Sequence, residues 1–130
     1  MLLSNFSFAQ DFTGHWKGLI KKLSDDKIFE LEFVFEQTGM SIKGISIIKD
    51  RSNGAYGVMT LTGRKQYSGG ISFEEIGVVG EQTALFWTWC LKYGKLSYDP
   101  IENKLYGFSA CIANGVDYGV HDVLEVYRIE

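Results

Sequence analysis

Apolar and polar residues alternate most cleanly between Phe29 and Glu36. Phe29, Leu31, Phe33 and Phe35 fall on one side of an extended chain, and Glu30, Glu32 and Glu36 on the other. One side of such a strand is buried and the other meets water, which is the signature of an antiparallel sheet. Comparable segments fill most of the chain. They run over about Gly14 to Leu23, Lys27 to Gln37, Ser41 to Lys49, Ala55 to Arg64, Gly70 to Val79, Ala84 to Tyr93, Lys104 to Ala113 and Asp122 to Ile129. No stretch keeps a 3.6-residue apolar period for three turns, so little or no helix is expected.

The breaks between the segments have turn chemistry. Ser24-Asp25-Asp26 offers side-chain acceptors to turn amides, and Thr38-Gly39-Met40 supplies a glycine tolerant of positive φ. Asn53-Gly54 is a strong hairpin signal, and Asp99-Pro100-Ile101-Glu102-Asn103 pairs a fixed φ with an αL-tolerant residue. These connections are too short for parallel crossovers. The expectation is therefore an all-β chain: a single eight-stranded antiparallel up-and-down β-barrel, closed so that neither edge is left open. A half-open barrel or a sandwich has the same alternation.

Composition fits this picture. Fifteen glycines, one proline and 15% aromatic residues in 130 residues suit closely spaced strands and tight turns. A net charge of −3 argues against a nucleic-acid partner. No apolar run reaches the roughly 18 residues of a helical membrane span. Residues 1–10 differ from the rest. Met1 to Gln10 is apolar, with small residues at Ser7 and Ala9 before Gln10, as at a leader-peptide cleavage site, but no basic start. This stretch is read as a signal-peptide remnant or a disordered tail, and 11–130 as the barrel. A secreted or periplasmic location follows from that reading.

Register gives a further expectation. Placing Ser97 opposite Lys104 also places Cys90 opposite Cys111, close enough for a disulfide, with two free thiols as the alternative. The same register sends Leu85, Trp87, Trp89, Leu91 and Tyr93 to one face with Tyr106, Phe108, Ala110 and Ile112, the more apolar face and so the expected interior. The cysteines would then lie outside, directly opposed or one residue off, with a bulge at Gly94 able to shift the count. In the fifth segment, Ile71 and Phe73 have one parity and Ile76 and Val78 the other. A bulge at Glu74-Glu75 would keep all four inside and turn a glutamate, Glu75, into the barrel. The alternative is a rim carboxylate paired with Arg64 or Lys65.

Gly14-His15-Trp16 on the first strand and Arg128 on the last resemble the lipocalin and avidin barrels of the calycin group. The resemblance implies that Trp16 plugs one end of the barrel and that Arg128 lies across the indole. Trp87-Thr88-Trp89-Cys90-Leu91-Lys92 resembles a Trp-x-Cys-x-Lys-like strand of uncharacterised secreted bacterial lipocalin-like domains. There are departures. Val116-Asp117-Tyr118 only partly echoes the Thr-Asp-Tyr of lipocalins, there is no C-terminal helix, and avidin's biotin-contacting set has no counterpart here.

The functional expectation is a non-catalytic module that binds a small apolar or ring-containing ligand, with Trp87, Trp89, Tyr106, Phe108 and Glu75 as candidate ligand contacts. The alternative is a secreted structural or protein-interaction barrel with a filled core. Catalysis would have to rest on Glu74, Glu75, His15, His121 and Asp122. These form no triad order, nucleophile elbow or phosphate loop, so no enzyme is expected. Nor is a cofactor or a metal site: the two histidines and two cysteines have no ligand spacing.

Overall fold

The computed structural model describes residues 10–82 and 90–129. Among them there is no helix. Eight strands follow in order: β1 (Gly14–Lys22), β2 (Ile28–Thr38), β3 (Ser41–Lys49), β4 (Tyr56–Lys65), β5 (Ile71–Gln82), β6 (Leu91–Asp99), β7 (Lys104–Ala113) and β8 (Val116–Arg128). Each pairs antiparallel with the next, and β8 returns to β1, closing an up-and-down barrel. Residues 1–9, on which the leader-peptide reading falls, lie outside the described residues, as do Leu85, Trp87 and Trp89.

The turns form by the local chemistry expected of them. The Asp25 carboxylate accepts the Lys27 amide, and Gly39 and Gly54 take φ of 62° and 76°. Asp50 accepts the Ser52 amide, while Asn53 accepts that of Ala55. Asp99 accepts the Ile101 amide, and Asn103 adopts φ 55° before β7.

The alternation in β2 sets the core. Phe29, Leu31, Phe33 and Phe35 are all buried, meeting Ile42, Leu61, Ile71 and Phe73 from neighbouring strands. Phe33 stacks on Phe35 at 5.0 Å and meets Phe73 edge-on at 5.5 Å. One barrel end is closed by aromatic rings. Trp16 is fully buried, and its indole N–H donates to the Phe12 carbonyl at 3.0 Å. The Phe12 ring meets Tyr98 edge-on at 5.2 Å. The Arg128 guanidinium lies 4.5 Å from the Trp16 ring and donates to the carbonyls of Thr13 and Asp11 at 2.7 and 2.6 Å. It thereby ties the chain leading into β1 to the last strand.

Two expectations about register are corrected. Asp99, not Ser97, stands opposite Lys104, because the turn spans Pro100 to Asn103 and Gly94 stays in line without a bulge. Cys111 consequently faces Lys92, and Cys90 lies two residues earlier. The disulfide between Cys90 and Cys111 is nonetheless present, with Cα atoms 5.5 Å apart. The bulges of β5 fall after Glu75. Ile76 has no opposite residue on β4, and Ile76 and Val78 stay 59% and 42% exposed rather than entering the core. Glu75 continues the inward parity of Ile71 and Phe73.

The inward face of β6 and β7 is also the reverse of the apolar-face expectation. Lys92, Leu96, Leu105, Ser109 and Cys111 are buried, whereas Tyr106, Phe108 and Ile112 are 42%, 57% and 40% exposed. Cys111 is therefore internal, and Tyr93 faces out. Glycine explains the inversion. Gly94 and Gly107 share the inward parity, and a Cβ on either would lie 2.6 or 2.8 Å from a carbonyl oxygen of the facing strand. The facing backbone comes too close there for an inward side chain, so only glycine fits at these positions. The bulky neighbours of both glycines are left on the outside.

Candidate functional site

The barrel interior has two unlike halves. Towards Trp16 it is packed mainly with aromatic and aliphatic side chains, with the buried Lys65 ammonium donating to the Gln10 carbonyl at 2.8 Å. Away from it, five strands send buried polar groups inward: Ser46 from β3, Glu75 from β5, Lys92 from β6, Ser109 from β7 and Asp122 from β8. The paired ladder between β5 and β6 ends at Glu74 and Tyr93 among the described residues. The next amide, that of Lys92, donates instead to Glu75 Oε1 at 2.7 Å. The carboxylate thus takes over a ladder hydrogen bond where the two strands part.

Glu75 Oε2 accepts the Lys92 ammonium at 2.7 Å and the Ser46 hydroxyl. Three donors hold one carboxylate, whose side chain is 0% exposed, against an ammonium-bearing side chain 4% exposed. Beside this pair stand two groups with no hydrogen bond among the described residues. Ser109 and Asp122 are directly opposed across β7 and β8. The Ser109 hydroxyl is buried with no partner. Burial pushes the Asp122 carboxyl above the usual carboxylate pKa, against the opposing pull of His121, Lys92 and Lys22. The disulfide lies next to the cluster through Cys111, which faces Lys92 across the ladder.

The chemistry available here is recognition by hydrogen bond and charge. Glu75 and Lys92 satisfy each other, and the hydroxyl and carboxyl beside them have no partner among the described residues. Among the described residues no group of three His, Cys, Asp or Glu side chains is placed to hold a metal. His15 pairs with Glu32 across β1 and β2, remote in register from Asp122.

Of the residues expected from sequence, Glu75 is inside the barrel, paired with Lys92 and with neither Arg64 nor Lys65. Tyr106 and Phe108 stand together but outside, flanking Gly107. They border two adjoining surface grooves of about 560 and 450 Å³, one reaching Tyr93 and Val120, the other Leu19 and Ile28. Lys92, Ser46 and Ser109 were not anticipated. Their signal lies in the inner parity itself: Gly44-x-Ser46 and Gly107-x-Ser109 repeat a small-then-hydroxyl pattern at alternate positions. An apolar-face rule passes over such a pattern. A comparison with family models, curated proteins and solved structures finds no match.

Proposed function

We propose that this chain is a non-catalytic, lipocalin-like binding domain that holds a small molecule in the polar half of its barrel. The ligand has an apolar or ring-containing body and one polar group, which pairs with Ser109 and Asp122 beside the Glu75–Lys92 pair. The observation that carries this reading is the unpartnered, buried Ser109 hydroxyl in a cluster of charges. An ion pair inside a barrel is often no more stable than apolar packing of the same volume, so its presence calls for a role beyond stability. A buried hydroxyl without a partner is likewise costly unless something binds it. A secreted or periplasmic setting accompanies this reading, with the disulfide in support.

A thermal-shift screen of small ring compounds bearing an amine, hydroxyl or carboxyl tests it. At least one such class raises the melting temperature of the wild type but not of the double variant Ser109→Ala/Asp122→Asn. Compounds that stabilise both proteins equally, or none that stabilise either, would refute the interior site.

A second reading is favoured by a separate observation. Phe108, Tyr118 and Val120 are 57%, 58% and 65% exposed on β7 and β8. Exposed apolar side chains gathered on one face suit a protein-interaction barrel whose core is filled. Association of the wild type that is lost on Phe108→Ser, together with an empty ligand screen, would favour it over the first.

A further inference from the structure

The outer face of β4, β5 and β6 carries a groove of about 640 Å³, separate from the barrel interior and within the usual size of small-molecule sites. Its two banks are rows of directly opposed residues. One row runs Ser41, Arg64, Ser72, Lys95 from β3 to β6. The other runs Thr62, Glu74, Tyr93. Between them the floor is Gly63, Phe73 and Gly94, whose side chains are absent or turned into the core.

The banks differ in chemistry. Arg64 and Lys95 are two strand spacings apart, roughly 10 Å between backbones. Both are exposed, and neither forms an ion pair or hydrogen bond among the described residues. Their long side chains can converge above Ser72, whose hydroxyl already accepts from Gln66 and keeps its own proton to donate. The facing bank offers a carboxylate, Glu74, also unpaired, and the flat ring of Tyr93. That ring is held in place: its hydroxyl donates to Asp117 on β8 at 2.6 Å.

We infer that this groove binds an acidic carbohydrate, with Arg64 and Lys95 on its carboxylate or sulfate and Tyr93 beneath a sugar ring. A guanidinium binds such an oxyanion through two parallel hydrogen bonds. Glu74, Thr62 and Ser41 are left to meet the sugar hydroxyls. A bare oxyanion would use only the cationic bank, and a neutral sugar only the other; an acidic sugar uses both. The whole chain carries a charge of −3, so attraction to a polyanion has to come from these local cations.

The test is calorimetric titration of the intact protein with trigalacturonate, a neutral galactose trisaccharide and inorganic sulfate at low salt. Trigalacturonate is expected to bind best. The variant Arg64→Gln/Lys95→Gln weakens it by about tenfold or more, as loss of charge-assisted hydrogen bonds implies. Tyr93→Leu weakens trigalacturonate but leaves sulfate unchanged. Since all three positions are surface ones, a matching melting temperature certifies the fold of each variant. Equal binding of the neutral trisaccharide, unchanged binding by the double variant, indifference to Tyr93→Leu, or no binding of trigalacturonate at millimolar concentration would each overturn the inference.

Discussion

Replacing Lys92 by methionine keeps most of the side-chain volume and removes only the ammonium. In the wild type that ammonium is one of three donors on the Glu75 carboxylate, and both side chains are almost wholly buried. Its loss leaves an anion inside the barrel with the Ser46 hydroxyl and one amide. Breaking a buried pair in this way costs roughly 3–5 kcal/mol, whereas an exposed pair is worth about 1 kcal/mol or less. Lys92→Met is therefore expected to lose roughly that much stability relative to wild type. Adding Glu75→Leu removes the stranded charge and recovers most of the loss, a coupling measured by a double-mutant cycle. Urea unfolding of the disulfide-intact proteins gives all these quantities. A single-variant cost under about 1 kcal/mol would mean that the pair is solvated, and the interior cluster would lose its basis.

Three further expectations follow from the geometry. Phe108→Ala should cost under about 1 kcal/mol, because the ring is 57% exposed; a cost of roughly 3–5 kcal/mol in urea unfolding, typical of a core phenylalanine, would return β7 to the opposite parity. Reduction of the Cys90–Cys111 bond, which spans 21 residues, should lower stability by about 3 kcal/mol; unfolding curves that coincide with and without reductant would contradict it. The raised pKa of Asp122 makes its carboxyl favour folding at low pH and oppose it once pH rises through that pKa. Asp122→Asn should accordingly match wild type near pH 4 and exceed it at pH 7, and a variant less stable than wild type at pH 7 would show that the ionised form is held by a partner.

Fold and site differ in how far the sequence reveals them, for a physical reason. The strand β2 announces itself because its inward positions are apolar, and the turns carry Gly, Asn and Asp where the backbone needs them. The Trp16 and Arg128 positions are readable through the resemblance to calycin barrels, and the two side chains meet where β1 pairs with β8. On β6 and β7 the same logic points to the wrong face. Inward glycines at Gly94 and Gly107 let the facing strands come close, inward Lys92 and Ser109 serve the polar cluster, and Tyr93, Tyr106 and Phe108 sit outside beside the grooves. Parity by hydrophobicity fails where the interior is not uniformly apolar. The Glu75–Lys92 pair was hidden for a related reason. It joins two strands just past the last pair of their ladder among the described residues, and no local pattern in either strand records its partner.

The most direct test of the proposed function is a crystal structure of the protein with the compound that stabilises it most in the thermal-shift screen. The ligand is expected inside the barrel, its polar group within hydrogen-bond distance of Ser109 Oγ and the Asp122 carboxyl. A ligand seated on the outer face, with protein side chains packed around Ser109, would contradict it.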